Sequence, residues 1–426
     1  MERKLMHPQE LIVEFMNRIY RRKLTTTSGG NLSIRDSEGN IWISPTGKDK
    51  GTLSPSDICK VYPDGRIEGN YKPSCELPFH ANVYKTRPDV NAVLHAHPSE
   101  LVSYTLFRGL PERDTTYLAK KVCGDIGVAG YELPGSQDLA DRIVDEIKKG
   151  INVVMMENHG VTAVGTDMFE AFKRFETYND CARIAMCAKS LGKSFVLSDD
   201  QIALTDKKVD VLEGDFDSYT SKEKALRKEI VDIAVRSYDQ KLFSCLSGTV
   251  SARTEGDNFV ITPHGADRKY LEVEDLVSIK DGKCEKGKTP SSAYKLHALI
   301  YKTHPEVNSI IMAKPASIMG YAVTHSDIDS RTIPESFIAM RTVKNLPFGI
   351  TITDPEKVAN SVTEKTPVLL IENDCVLATG KSVINAFDRL EVASFTAETI
   401  INAKPLGNVV MITDDEVELI RKTFCM

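Results

Sequence analysis

At 426 residues the chain is too long for one ordinary hydrophobic core and suits two domains of about 200 residues. Hydrophobic residues make up 41%, charged residues 27%, and the net charge is -6, which argues against nucleic acid or an anionic membrane surface as the main partner. No run approaches the roughly 18 apolar residues of a membrane span, the opening MERKLMHPQE lacks the apolar centre of a secretory signal, and nine cysteines without a Cys-X-X-Cys pair imply reduced thiols in a cytoplasm.

In chain order, apolar residues at helical spacing predict a helix over Leu11 to Tyr20, and Gly39 to Ser44 reads as a turn followed by a short strand. A second helix is expected over Phe79 to Lys85, then a strand from Ala92 to Ala96 that leads into His-Ala-His. Helix follows at Ser136 to Lys149, an apolar strand at Val153 to Met156, and a long helix from Met168 to about Lys189. Residues 195 to 222, rich in Asp, Ser and Lys and without periodicity, read as a linker. The next helix is expected over Ala225 to Tyr238, and the series then repeats.

The repetition is visible residue by residue. Tyr84 to Pro98 (YKTRPDVNAVLHAHP) matches Tyr301 to Pro315 (YKTHPEVNSIIMAKP) at eight of fifteen positions, where unrelated segments would share about one. Ile43-Ser44-Pro45-Thr46-Gly47 recurs as Ile261-Thr262-Pro263-His264-Gly265, and Glu157-Asn158-His159 as Glu372-Asn373-Asp374. A period near 216 residues is a duplicated domain rather than a solenoid. The expected domains are residues 1–205 and 215–426, each a layered α/β structure.

His95 and His97 stand two apart on the expected strand, so both leave the same face and can share one metal. His159 follows the apolar run Val153 to Met156 and precedes Gly160, where a third ligand could converge; three histidines with an open position is a catalytic zinc pattern. A bare His-X-His pair is weak on its own, and two core histidines are the plain alternative. The duplication bears on this choice. In the second copy His95, His97, His159 and Glu76 become Met312, Lys314, Asp374 and Ala293, although the framework around them survives. A role in the core would be kept in both copies, whereas loss as a set marks a functional unit.

Taken in order, Ser28-Gly29-Gly30-Asn31-Leu32-Ser33, Ile43 to Gly47, Lys72 to Glu76, His95-Ala96-His97 and Glu157 to Gly160 resemble the class II aldolase/adducin family, over nearly the whole chain and as two domains in series. The resemblance implies an α/β fold of two tandem three-layer α/β/α domains, each with a central mixed, mainly antiparallel sheet. It implies one Zn²⁺ per chain on His95, His97 and His159, with Co²⁺ or Mn²⁺ also suited to such a site. Glu76 would be the catalytic acid/base and Tyr117 the proton donor on the departing aldehyde side, a structural tyrosine being the alternative. Ser28, Gly29, Asn31, Thr46, Gly47 and Ser74 would hold the substrate phosphate through exposed amides and short hydroxyls. Cys75 departs from the family's usual second serine there, which weakens the case for a phosphate.

The implied activity is that of a zinc-dependent aldehyde-lyase, cleaving a sugar phosphate or related hydroxy-ketone through an enediolate. A dehydratase or decarboxylase of the same fold and a non-catalytic adducin-like scaffold are the alternatives. The second domain, lacking the ligands, is expected to be degenerate and non-catalytic. Because aldolases of the family form four-fold rings, a homodimer making a pseudo-tetrameric ring of four domains is expected.

Overall fold

In a computed structural model the described residues are 5–206, 211–216 and 218–424. They form two compact units, each built on one sheet. The first comprises the chain to Arg113 together with Leu118–Ala182, and the second comprises Asp114–Tyr117 and the chain from Arg183.

The first unit has eight strands: β1 (Asn31–Arg35), β2 (Ile41–Ile43), β3 (Cys59–Val61), β4 (Ile67–Glu68), β5 (Ala92–Ala96), β6 (Ile126–Ala129), β7 (Val153–Met156) and β8 (Gly160–Gly165). Their order is β4-β3-β2-β1-β5-β8-β7-β6, and only the β6–β7 pair is parallel. Strands β5, β7 and β8 are buried along their whole length, as apolar central strands covered on both faces must be. On one face, Phe79, Val83 and Tyr84 of helix Leu77–Thr86 pack with Leu139, Ile143 and Ile147 of helix Gln137–Ile147 against Val93, Val154 and Val164. Ser136 caps the latter helix by accepting from the Leu139 amide. Away from that cluster, Phe15 of helix Pro8–Arg21 meets Phe172 of helix Met168–Lys189, with ring centroids 5.4 Å apart.

The second unit holds β9 (Glu213–Gly214), β10 (Thr249–Arg253), β11 (Phe259–Ile261), β12 (Val277–Lys280), β13 (Lys283–Glu285), β14 (Ser309–Ala313), β15 (Val343–Leu346), β16 (Val368–Ile371) and β17 (Cys375–Gly380). The series β13-β12-β11-β10-β14-β17-β16-β15 reproduces the first sheet strand for strand, again with one parallel pair at the same end. Each sheet is therefore mixed and mainly antiparallel, with helices packed around it, as the resemblance implied.

Two expectations shift in detail. The presumed linker carries structure: helix Asp199–Leu204 lies in it, and β9 adds a ninth, parallel strand beside β13 with Cys284 opposite Glu213. The division between units falls after Ala182, within helix Met168–Lys189, rather than near residue 205. The segment beyond that helix is tied into the second unit: the Phe195 amide donates to the Val323 carbonyl at 2.7 Å, and the Phe195 ring stacks on His325 at 4.0 Å. Among the described residues, no helix is long and apolar enough to cross a membrane.

Candidate metal centre and active site

Strand β5 lies between β1 and β8, so His95 stands opposite Asn31 on one side and Thr162 on the other. His95 is fully buried, and its Nδ1 is 3.0 Å from the Val161 carbonyl. A carbonyl can only accept, so Nδ1 carries the proton and Nε2 keeps its lone pair. His97 follows the strand end with its Nε2 2.9 Å from that of His95. His159 occupies the turn between β7 and β8, where Asn158 takes a left-handed φ of 52°. The ligand nitrogens of the three rings lie within 4.8 Å of one another. Burial, and then the neighbouring imidazoles, hold His95 well below its usual pKa; burial depresses His97, and burial followed by His97 brings His159 to about 4. The three rings are thus neutral, which is the state a metal requires.

Two glycines make room for these rings. A Cβ on Gly160 would lie 2.6 Å from His97 Cδ2 and 2.7 Å from the Ala96 carbonyl. A Cβ on Gly29 would lie 2.8 Å from His97 Nδ1. In the second copy, where the histidines are gone, the matching residues are Cys375 and Ser247.

Glu76 completes the cluster. It is buried, with Oε2 3.4 Å from His95 Nε2 and Oε1 3.5 Å from His159 Nε2. Burial raises its pKa, opposed by the Asn31 amide that donates to Oε2 at 2.7 Å. Glu76 Oε1 has no hydrogen-bond donor among the described residues. A buried carboxylate with an orphaned oxygen, facing three imidazole lone pairs, lacks positive charge, and a divalent cation fits the donor set.

The residues expected around a phosphate divide into two groups. Ser28, Thr46 and Gly47 are exposed, and Gly47 has a φ of 68°. The strand-like bridge between Pro45 and Pro73, with the Ser74 amide donating to the Ser44 carbonyl, brings the Thr46–Gly47 loop beside Ser74. Gly29 lies under His97. Asn31 is differently engaged: its amide is on Glu76, and its Oδ1 is 2.5 Å from His80 Nε2. Cys75 is exposed.

Tyr117 is grouped with the second unit and is not among the groups around Glu76. Its ring lies under the Lys314 ammonium at 4.7 Å and 6.4 Å from the Phe348 ring. Asn373 holds the segment there, its Nδ2 donating to the Thr115 carbonyl at 3.0 Å. The positions of His97 and His159 are taken in that unit by Lys314 and Asp374, whose side chains pair at 2.6 Å.

Sequence reasoning overlooked one group near Glu76. The Ser33 hydroxyl bonds His80 Nδ1 at 2.6 Å and the Tyr84 hydroxyl at 2.7 Å, all three buried. Its signal was present: Ser33, His80 and Tyr84 recur as Ser251, His297 and Tyr301.

The description "Class II Aldolase and Adducin N-terminal domain" matches residues 10–186 and again 228–401. The chain is similar to the 5-deoxy-D-ribulose 1-phosphate aldolase of Bacillus thuringiensis, 33% identical over 207 residues that make up 48% of this chain and 96% of that one. It is also similar to the 3-oxo-tetronate 4-phosphate decarboxylase of Haemophilus influenzae, 29% identical over 41% of this chain and 85% of the relative. A solved L-fuculose 1-phosphate aldolase aligns with 31% identity and a TM-score of 0.43, covering 46% of this chain and 93% of its own. With two matched regions that span most of its length, the chain belongs to the class II aldolase and adducin family.

Proposed function

We propose that the first domain is a zinc-dependent lyase that cleaves a small phosphorylated ketose or hydroxy-ketone. The observation that carries this reading is the convergence of three neutral imidazoles with an under-bonded Glu76 at 3.4 and 3.5 Å. His95, His97 and His159 would hold the zinc, which when bound supplies Lewis acidity for a substrate carbonyl. The His95 ring is oriented by the Val161 carbonyl. Glu76, desolvated and close to the metal ligands, takes and returns the proton at the carbon next to the carbonyl. The hydroxyls of Ser28, Thr46 and Ser74 and the Gly47 amide would serve the phosphate, with Gly29 packed against His97. Tyr117, whose ring lies under the Lys314 ammonium at 4.7 Å, would protonate the departing fragment.

Decarboxylation is a second reading, favoured by the relative named 3-oxo-tetronate 4-phosphate decarboxylase. The two differ in product, an aldehyde and a second carbonyl fragment in one case and CO₂ in the other. The second domain, without the histidines and Glu76, is read as non-catalytic, and a dimer of chains as the working form in a cytoplasm.

The test is metal content by elemental analysis on untagged protein beside His95→Ala and Glu76→Gln. About one zinc per chain is expected, lost in His95→Ala and kept in Glu76→Gln. Glu76→Gln should turn over at least about 100-fold more slowly. Two metals per chain would contradict an empty second copy, and no metal after zinc is added back would favour the scaffold reading. A mass equal to one chain at micromolar concentration would rule out the dimer.

A further inference from the structure

We propose that Ser33, His80 and Tyr84 form a one-way hydrogen-bond wire that orients Asn31, and that Asn31 in turn positions the catalytic carboxylate of Glu76. The inference rests on the role given to Glu76 above. The direction of each link follows from the Glu76 carboxylate, which accepts at one end of the chain. With the Asn31 amide on the Glu76 carboxylate, which can only accept, Asn31 Oδ1 accepts from His80 Nε2–H; the neutral ring then accepts at Nδ1 from the Ser33 hydroxyl, and Ser33 accepts from Tyr84. Nε2–H lies 2.5 Å from Asn31 Oδ1 by its nitrogen, and the Asn31 amide donates to Glu76 Oε2 at 2.7 Å. A flipped Asn31 would set its oxygen against the carboxylate and its amide against another donor, losing both bonds at once.

The second copy provides the control. There Tyr301, Ser251 and His297 repeat the first links, with Ser251 Oγ 2.6 Å from Tyr301 and 2.7 Å from His297 Nδ1. Asn31, however, is replaced by Thr249, whose hydroxyl turns to Ser291 at 2.8 Å. His297 Nε2 is left without a partner among the described residues, although it is fully buried. The wire is therefore intact where Glu76 is present and ends in a buried, unsatisfied donor where Ala293 stands instead. A triad serving only the core would not need the Asn31 acceptor.

The test uses the full chain. In ¹H–¹⁵N spectra of metal-free protein, the Asn31 side-chain amide should show one proton shifted downfield by its carboxylate acceptor. Ser33→Ala and His80→Phe should return it to the position of a free amide, whereas His80→Gln, which keeps a donor near Nε2, should preserve it. In zinc-loaded protein with L-fuculose 1-phosphate or 5-deoxy-D-ribulose 1-phosphate as probe, His80→Phe should lower kcat by about tenfold or more with KM and zinc content unchanged. His80→Gln should restore most of that loss, and His297→Phe should leave turnover as it was. An Asn31 amide indifferent to both Ser33→Ala and His80→Phe would overturn the proposal. So would His80→Phe and His297→Phe costing the same thermal stability with no difference in turnover. If the wild type cleaves neither probe, the functional reading loses support while the amide spectra still decide on the wire.

Discussion

Gly160→Ala tests the metal centre without touching any proposed ligand. The added Cβ would lie 2.6 Å from His97 Cδ2, 2.7 Å from the Ala96 carbonyl oxygen and 3.1 Å from His95 Cε1. Carbon atoms rest at about 3.5 Å or more, so the His97 ring must retreat by about 1 Å. Its neighbour across the strand end, the Ala96 carbonyl, is backbone in a buried central strand and cannot yield as easily. Zinc–nitrogen bonds tolerate only about 0.2 Å around 2.0–2.1 Å, so a shift of that size removes His97 from the coordination sphere. Zinc affinity should fall at least about 100-fold, with overpacking destabilising the first domain by about 1–3 kcal/mol. The assay is competition with a chromophoric chelator, run beside Cys375→Ala at the matching position of the second copy, which should leave zinc binding unchanged. Wild-type zinc affinity in folded Gly160→Ala would refute the claim that the three rings converge on one ion with Gly160 packed against them.

Other outcomes follow from the second domain. Lys314→Met should destabilise it by about 1–3 kcal/mol, because Asp374, only 14% exposed, is left without its counter-charge, while Lys314→Met combined with Asp374→Leu should recover most of that loss in denaturant melts. Single and double variants of equal stability would show that the pair does not act as a unit. Burial lowers the His297 pKa to about 3 from a usual 6.5. The unfolded chain then binds the extra proton first, so this residue should cost stability as pH falls from about 6.5 toward 3, at up to about 1.4 kcal/mol per pH unit. Denaturation at pH 7 and pH 5 should show a smaller difference in His297→Gln than in wild type, and equal differences would contradict the burial of a neutral ring.

Much of the architecture was legible because it depends on periodicity and on local chemistry. The strands Ala92–Ala96 and Val153–Met156 and the long helix from Met168 were read at their observed bounds, since apolar runs and amphipathic spacing are local signals. The helix over Phe79 to Lys85 was read short at both ends; in the structure it begins at Leu77, with Pro78 in its first turn, and ends at Thr86. The linker was misjudged for a different reason. Strand β9 is two residues long and exists only because Cys284 and Glu285 offer a free sheet edge, a partner some 70 residues away in sequence.

By itself, the sequence determined that this chain is a duplicated domain and that His95, His97, His159 and Glu76 differ together between the copies, because substitution patterns are written in the residues whatever their positions in space. Only the tertiary structure decided what each polar group faces. It set Asn31 between Glu76 and His80, and grouped Tyr117 with Lys314. It also joined Ser33, His80 and Tyr84 into one chain of hydrogen bonds. The direction of a hydrogen bond and the choice of its acceptor are set by strand register and close packing, and neither is encoded in the spacing of residues along a chain.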